Sequence, residues 1–181
     1  MFIAVLACNL TKVGDKWVCT KKDDTTPPLD KAIELFRELT KGRNKEVYII
    51  VTAGKSSKEG NTIMCDRMKE YLVAQGIPSF NVFANKAEIF KTHGEMRAAY
   101  ETISLYEEAT ETKAEKIFVC SRWFHVWRAC LIGYCVRHFY QIKAPQYPVP
   151  TRSIIKWWKI PYALIYEALG LCIVPIQCRK K

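Results

Sequence analysis

What most limits the fold of this chain is a regular alternation of short, wholly apolar runs with longer stretches carrying a helical stripe. Residues Phe2 to Ala7 are apolar at every position, the pattern of a strand buried on both faces. A polar stretch over 9–26 follows, and Gly14-Asp15 within it signals a turn, so a small hairpin or flap is expected there. Pro28 suits a first helical turn, and Ala32, Ile33, Leu35, Phe36 and Leu39 form a stripe that ends at Gly42. Val47 to Val51 reads as the second buried strand. The next helix carries Ile63, Met64, Met68, Tyr71 and Leu72 and closes at Gly76 and Pro78. A short third strand is expected over Phe80–Phe83, a helix over Glu95–Thr112 and a fourth strand over Lys116–Cys120. A helix over Trp123–Phe139 precedes the extended, proline-punctuated stretch Tyr140–Val149. The tail reads as a helix over Pro161–Leu169 and a strand over Leu171–Ile176.

This alternation predicts an α/β protein: a Rossmann-like three-layer sandwich with a mostly parallel central sheet of about five or six strands and helices on both faces. The 181 residues suit one domain over 1–181, with the polar flap at 9–26 and a helix–strand extension over about 151–181.

Composition narrows the partners. At 49% apolar residues the chain has a core's worth of hydrophobic side chains, and disorder is not expected. The formal net charge of +10 favours anionic partners: phosphorylated small molecules, nucleic acid or an acidic membrane face. Peripheral membrane contact through the Trp157-Trp158 region is one reading, although that aromatic tail is better expected to pack against the sheet. Nucleic acid ranks below a small anionic ligand. Of the eight cysteines, Cys8, Cys120, Cys130, Cys135 and Cys172 fall inside apolar runs, with no CxxC pair and no signal peptide. Core thiols in a reducing cytoplasm are therefore expected, and no metal site, since Cys and His are not clustered at ligand spacing. The stretch from Ile154 to Ile176 is interrupted by Lys156, Lys159, Pro161, Glu167 and Pro175, so no membrane span is expected.

In a parallel sheet of this kind, ligands sit beyond the carboxyl ends of the strands, near the point where strand order reverses. Four loops fall there. Asn9 follows the first strand and either bonds a ligand or satisfies a turn. Thr52-Ala53-Gly54-Lys55-Ser56-Ser57 follows the second, where small residues admit a phosphate, hydroxyls donate and Lys55 adds charge. It is not a Walker A loop, because Ile49 stands where the first glycine belongs. Thr92-His93-Gly94-Glu95 opens a helix. Its spacing fits a capping box, while the Glu95 carboxylate in a cleft can act as a base or bind a ribose hydroxyl. The fourth loop, Ser121-Arg122-Trp123-Phe124-His125-Val126-Trp127-Arg128, is the most informative. With Ser121 as N-cap, Ser121, His125 and Arg128 share a helical face at i, i+4 and i+7, an anion site with an acid–base group. The plainer alternative is a capped helix whose His125 and Arg128 serve packing and surface pairing.

In their order along the chain these motifs resemble the YdcF/SanA/ElyC-like family. Val51-Thr52-Ala53-Gly54 resembles that family's Ser-Gly-Gly turn, and Gly76-Ile77-Pro78 its Gly-Val-Pro. Ser121, His125, Arg128 and Ala129 resemble its Thr-Ser-x-x-His-x-x-Arg-Ala stretch. The resemblance runs from Phe2 to about Gly133, with Glu167 a weaker match. Departures include Ala7-Cys8 for the usual Leu-Gly turn and Thr92-His93-Gly94-Glu95-Met96 for Asn-Thr-x-Glu-Asn. The resemblance implies a Rossmann-like fold with a polar cleft. It further implies an S-adenosylmethionine or nucleotide-like ligand in one branch and envelope or lipid-carrier roles in others. Without the N-terminal anchor of the envelope members, this chain is similar to the soluble branch.

The leading expectation is an enzyme, a hydrolase or transferase, acting on a phosphate- or nucleotide-containing small molecule. Arg128 and Lys55 would neutralise the anion, Asn9, Thr52, Gly54, Ser56, Ser121 and Arg122 would contact it, and His125 or Glu95 would move a proton. A binding or sensing module using the same cleft is the alternative. A Ser-His-Asp triad is not expected, because no Gly-x-Ser-x-Gly elbow is present and a Ser and His four apart on one helix rarely reach attack geometry. The first strand also lacks the Gly-x-Gly-x-x-Gly of a dinucleotide dehydrogenase.

Overall fold

The apolar runs pair into a sheet. In chain order the elements are β1 (Phe2–Leu6), a hairpin of β2 (Leu10–Val13) and β3 (Lys16–Cys19), α1 (Pro27–Thr40), β4 (Tyr48–Ala53) and α2 (Met64–Ala74). They continue with β5 (Val82–Lys86), α3 (Thr92–Thr110), β6 (Ile117–Arg122), α4 (Val126–Arg137) and β7 (Gln146–Thr151). The computed structural model describes residues 1–6, 10–13, 16–19, 27–42, 46–53, 64–86, 92–151, 160–162, 164–165 and 167–170. The expected strand at Leu171–Ile176 and the pair Trp157-Trp158 lie outside those residues.

β5, β4, β1, β6 and β7, in that order, make one five-stranded sheet in which every neighbouring pair is parallel. The fold is thus α/β and Rossmann-like, with helices on both faces. β2 and β3 pair antiparallel as a separate two-stranded unit, the hairpin expected of the polar stretch.

Side chains of a strand alternate between its two faces, and the core divides accordingly. On one face Ile3, Val5, Ile49, Val51 and Cys120 meet Leu29, Ile33 and Phe36 of α1 and Met64, Met68 and Leu72 of α2. On the other, Phe2, Ala4, Leu6, Ile50 and Val119 meet Met96, Tyr100 and Ile103 of α3 and Ala129, Ile132 and Val136 of α4. β1 is central and buried at all five positions. Each fully buried side chain such as Leu29 or Leu72 contributes about 2 kcal/mol of transfer free energy.

Local chemistry sets the element ends. α2 closes through Gly76, at φ 88°, with Ile77 N–H donating to Leu72 C=O at 3.1 Å, the six-to-one bond of a glycine-terminated helix. α3 and α4 approach closely at Gly133, where an added Cβ would lie 2.5 Å from Met96 Cε. Pro148 and Pro150 fit β7 because it is an edge strand and needs no donor on its outer side.

Two expectations change. The third strand lies later than Phe80–Phe83: Ser79–Asn81 form a 3₁₀ turn after Pro78, Asn81 Nδ2 donates to Val47 C=O at 2.9 Å, and the strand starts at Val82. Ser121 is not a helix cap. Parallel pairing with β7, Ser121 opposite Pro150 and Arg122 opposite Thr151, draws both residues into β6. Trp123 N–H then donates to Thr151 C=O at 3.0 Å, a turn covers 123–125, and His125 occupies the N-cap position of α4. The shared helical face of Ser121, His125 and Arg128 therefore does not form. Among the described residues no helix is long and apolar enough to cross a membrane.

Candidate functional site

The chain leaves β1 for β4 and β5 on one side and then crosses to β6 and β7 on the other, so strand order reverses between β1 and β6. At this edge of the sheet lie the carboxyl ends of β4 and β6 and the first turns of α3 and α4. They carry Thr52, Thr92, Glu95, Ser121, Arg122, His125 and Arg128. Asn9, Gly54, Lys55 and Ser56 lie outside the described residues.

His125 is the hub. Its Nε2 lies 3.0 Å from Thr92 Oγ1, and its Nδ1 lies 3.1 Å from Glu167 Oε1. Arg128 holds the same carboxylate at two points, Nε to Oε2 at 2.6 Å and Nη2 to Oε1 at 3.2 Å. The four groups come from three separate parts of the chain and are largely buried, with Glu167, Arg128 and His125 side chains 9%, 14% and 18% exposed. Gly170 lets the guanidinium lie flat: an added Cβ there would stand 2.7 Å from Arg128 Cδ and 2.9 Å from Nη1.

The ring has two complete hydrogen-bond arrangements. Arg128 Nη2, 3.0 Å from Nδ1, only donates, whereas Glu167 Oε1 only accepts. With the proton on Nδ1, the ring donates to Glu167 and Nε2 accepts from the Thr92 hydroxyl. With the proton on Nε2, the ring donates to Thr92 Oγ1 and Nδ1 accepts from Arg128. A ring satisfied in either tautomer is suited to passing a proton between its two sides.

The carboxyls are tuned in opposite directions. Burial alone would raise the pKa of Glu167, but hydrogen bonds and charge from His125 and Arg128 outweigh it and hold the group below its ordinary value. Glu95 is buried, and desolvation pushes its pKa up to about 7, against the opposing pull of Arg128. No hydrogen bond to another described residue fixes its carboxyl. Such a divided pair is characteristic of sites that move protons.

The remaining expected residues sit around this hub. Thr52 is fully buried, and its Oγ1 has no hydrogen-bond partner among the described residues. Ser121 is buried, and its carbonyl accepts from Thr151 Oγ1 at 3.1 Å. Arg122 is half-buried at the end of β6. Thr92 is the first residue of α3, and its hydroxyl reaches across to His125.

Sequence reasoning treated Thr92 only as a cap, and Glu167 as an interruption of an apolar stretch and a weaker match in the family resemblance. The signal for Glu167 was present: a single carboxylate in the otherwise apolar stretch 160–170, where an acidic side chain is buried only when paired. Among the described residues no group of three His, Cys, Asp or Glu side chains is placed to hold a metal ion. Comparison with protein-family models, with curated proteins and with solved structures finds no match to this chain.

Proposed function

We propose that the chain is an enzyme, a hydrolase or transferase, acting on a small anionic ligand of phosphate or nucleotide type held beyond the carboxyl ends of β4, β1 and β6. His125 is the proton-transfer group. The observation that carries this reading is the imidazole suspended between Glu167 and the Thr92 hydroxyl, at 3.1 and 3.0 Å, at the edge of a parallel sheet where ligands bind. Glu167 keeps the ring oriented and Arg128 keeps Glu167 charged. Electrostatics favour an anion: the Glu167 charge is matched by Arg128, and Glu95 holds its proton up to about pH 7. The net charge of +10 adds a long-range attraction for the same class of ligand. The orphan hydroxyl of Thr52 is a donor in want of an acceptor.

A screen of phosphoesters, nucleotides and methyl-donor analogues tests the proposal. Turnover of at least one, falling about 100-fold or more in a His125→Ala variant, is the expected outcome. Undiminished turnover by that variant on every substrate found refutes it.

A second reading concerns the surface. Trp127, Leu131 and Tyr134 form an exposed stripe along α4, and Tyr162, Ile165 and Leu169 are exposed on the segment that carries Glu167. With the positive net charge this pattern suits peripheral contact with an acidic lipid surface. Equal sedimentation of the chain with and without phosphatidylserine vesicles would dispose of it.

A further inference from the structure

Resting on the catalytic reading above, we infer that Thr92 is a covalent nucleophile, and that Thr92, His125 and Glu167 form a hydroxyl–imidazole–carboxylate relay for phosphoester cleavage. A serine on the same helix as its histidine was the poor geometry that argued against a triad. Here the hydroxyl comes from a different element, the first turn of α3, and reaches the ring from 33 residues away at 3.0 Å. Glu167 binds the opposite ring nitrogen at 3.1 Å, and Arg128 fixes both carboxylate oxygens, so the orienting group is itself held. Thr92 is β-branched, which limits its χ1 to few rotamers, and the one it occupies places Oγ1 3.0 Å from the base.

The chemistry closes without a further reactant other than water. His125 Nε2 accepts the Thr92 hydroxyl proton as Oγ1 bonds to phosphorus. The bond from phosphorus to the ester oxygen breaks, and the departing alkoxide takes that proton from Nε2. Water then attacks the phosphothreonine and gives a proton to Nε2. The Oγ1–phosphorus bond breaks, Oγ1 recovers the proton, and inorganic phosphate leaves. Both halves use the tautomer with Nδ1–H on Glu167.

The test needs no natural substrate. The native chain is treated with an alkyl phosphonofluoridate, whose phosphorus takes a hydroxyl nucleophile and expels fluoride, beside a serine hydrolase as positive control. Peptide mass spectrometry should find one phosphonyl group on Thr92. The adduct should persist in Thr92→Ser and Thr110→Ala, vanish in Thr92→Val, and form about 100-fold more slowly in His125→Gln. Thermal melts of each variant exclude unfolding as the cause. An unlabelled native chain beside a labelled control overturns the inference, as does labelling at any other hydroxyl. Absence of label combined with loss of turnover in His125→Ala removes the nucleophile and leaves the proposed function standing. Full turnover in His125→Ala removes both.

Discussion

Arg128 and Glu167 form a two-point ion pair, Nε to Oε2 at 2.6 Å and Nη2 to Oε1 at 3.2 Å, that ties the first turn of α4 to the helical residues 167–170. Both side chains are mostly buried, so the pair governs orientation more than net stability. Deleting one partner leaves the other charge in a poor solvent. Glu167→Ala is therefore expected to cost about 3 kcal/mol in urea unfolding, and the double replacement Arg128→Met with Glu167→Leu much less. A single variant as stable as the parent would show that the pair is effectively solvated.

The same carboxylate sets an acid limb. Its pKa lies below the ordinary 4.5, so the stability it gives is present above that value and disappears as pH falls through the lower folded value. Glu167→Gln should flatten the unfolding free energy on the acid side of pH 4.5. An acid limb unchanged by the substitution would contradict the assignment.

Glu95 works in the opposite sense. With a folded pKa of about 7 against an ordinary 4.5, its protonated form favours the folded chain, and that advantage is lost as pH rises from 4.5 through 7. Glu95→Gln should remove this decline, which amounts to roughly 3 kcal/mol between pH 4 and pH 8. Carboxyl-carbon NMR titration of Glu95 should give a midpoint near neutrality, and one near 4.5 would refute the prediction.

Gly170 is predicted to be intolerant of even one carbon. A Cβ there would stand 2.7 Å from Arg128 Cδ, and the guanidinium cannot swing away without leaving Glu167. Gly170→Ala should lower turnover in proportion to the disturbed His125 orientation and cost about 1–2 kcal/mol. A crystal structure of the variant with the ion pair intact would count against it.

Tyr71 and Asp30 test the opposite layer. The Tyr71 hydroxyl donates to Asp30 Oδ1 at 2.5 Å, joining α2 to α1 far along the chain. Tyr71→Phe should cost about 1.5 kcal/mol of stability and leave turnover unchanged, because the pair lies in the α1–α2 layer, across the sheet from the Thr92–His125–Glu167 cluster. A loss of activity without a loss of stability would show that the two layers communicate.

The architecture was legible because β1, β4 and most of β6 are apolar runs and α1 and α2 carry apolar stripes, patterns that local sequence holds by itself. β5 was displaced because Pro78 and Asn81 build a 3₁₀ turn whose anchor, the Val47 carbonyl, belongs to another strand entry. Ser121 was misplaced for a related reason: its pairing partner, Pro150, is 29 residues further on in a stretch rich in prolines. His125 and Arg128 were visible as types and as neighbours. Their pairing with Thr92 and Glu167 was not, since contacts between residues 33 and 42 positions apart on different elements leave no periodicity in any of them.

Glu167 belongs to the last described segment of the chain, yet it orients a histidine whose strand and helix are complete some 30 residues earlier. The sheet and its four flanking helices are complete by Thr151 and close their core without the segment that aims the imidazole. Completion of the His125 cluster is thereby separable from acquisition of the fold, and any agent that peels this segment away would strip the ring of its carboxylate while leaving the open sheet and its helices standing.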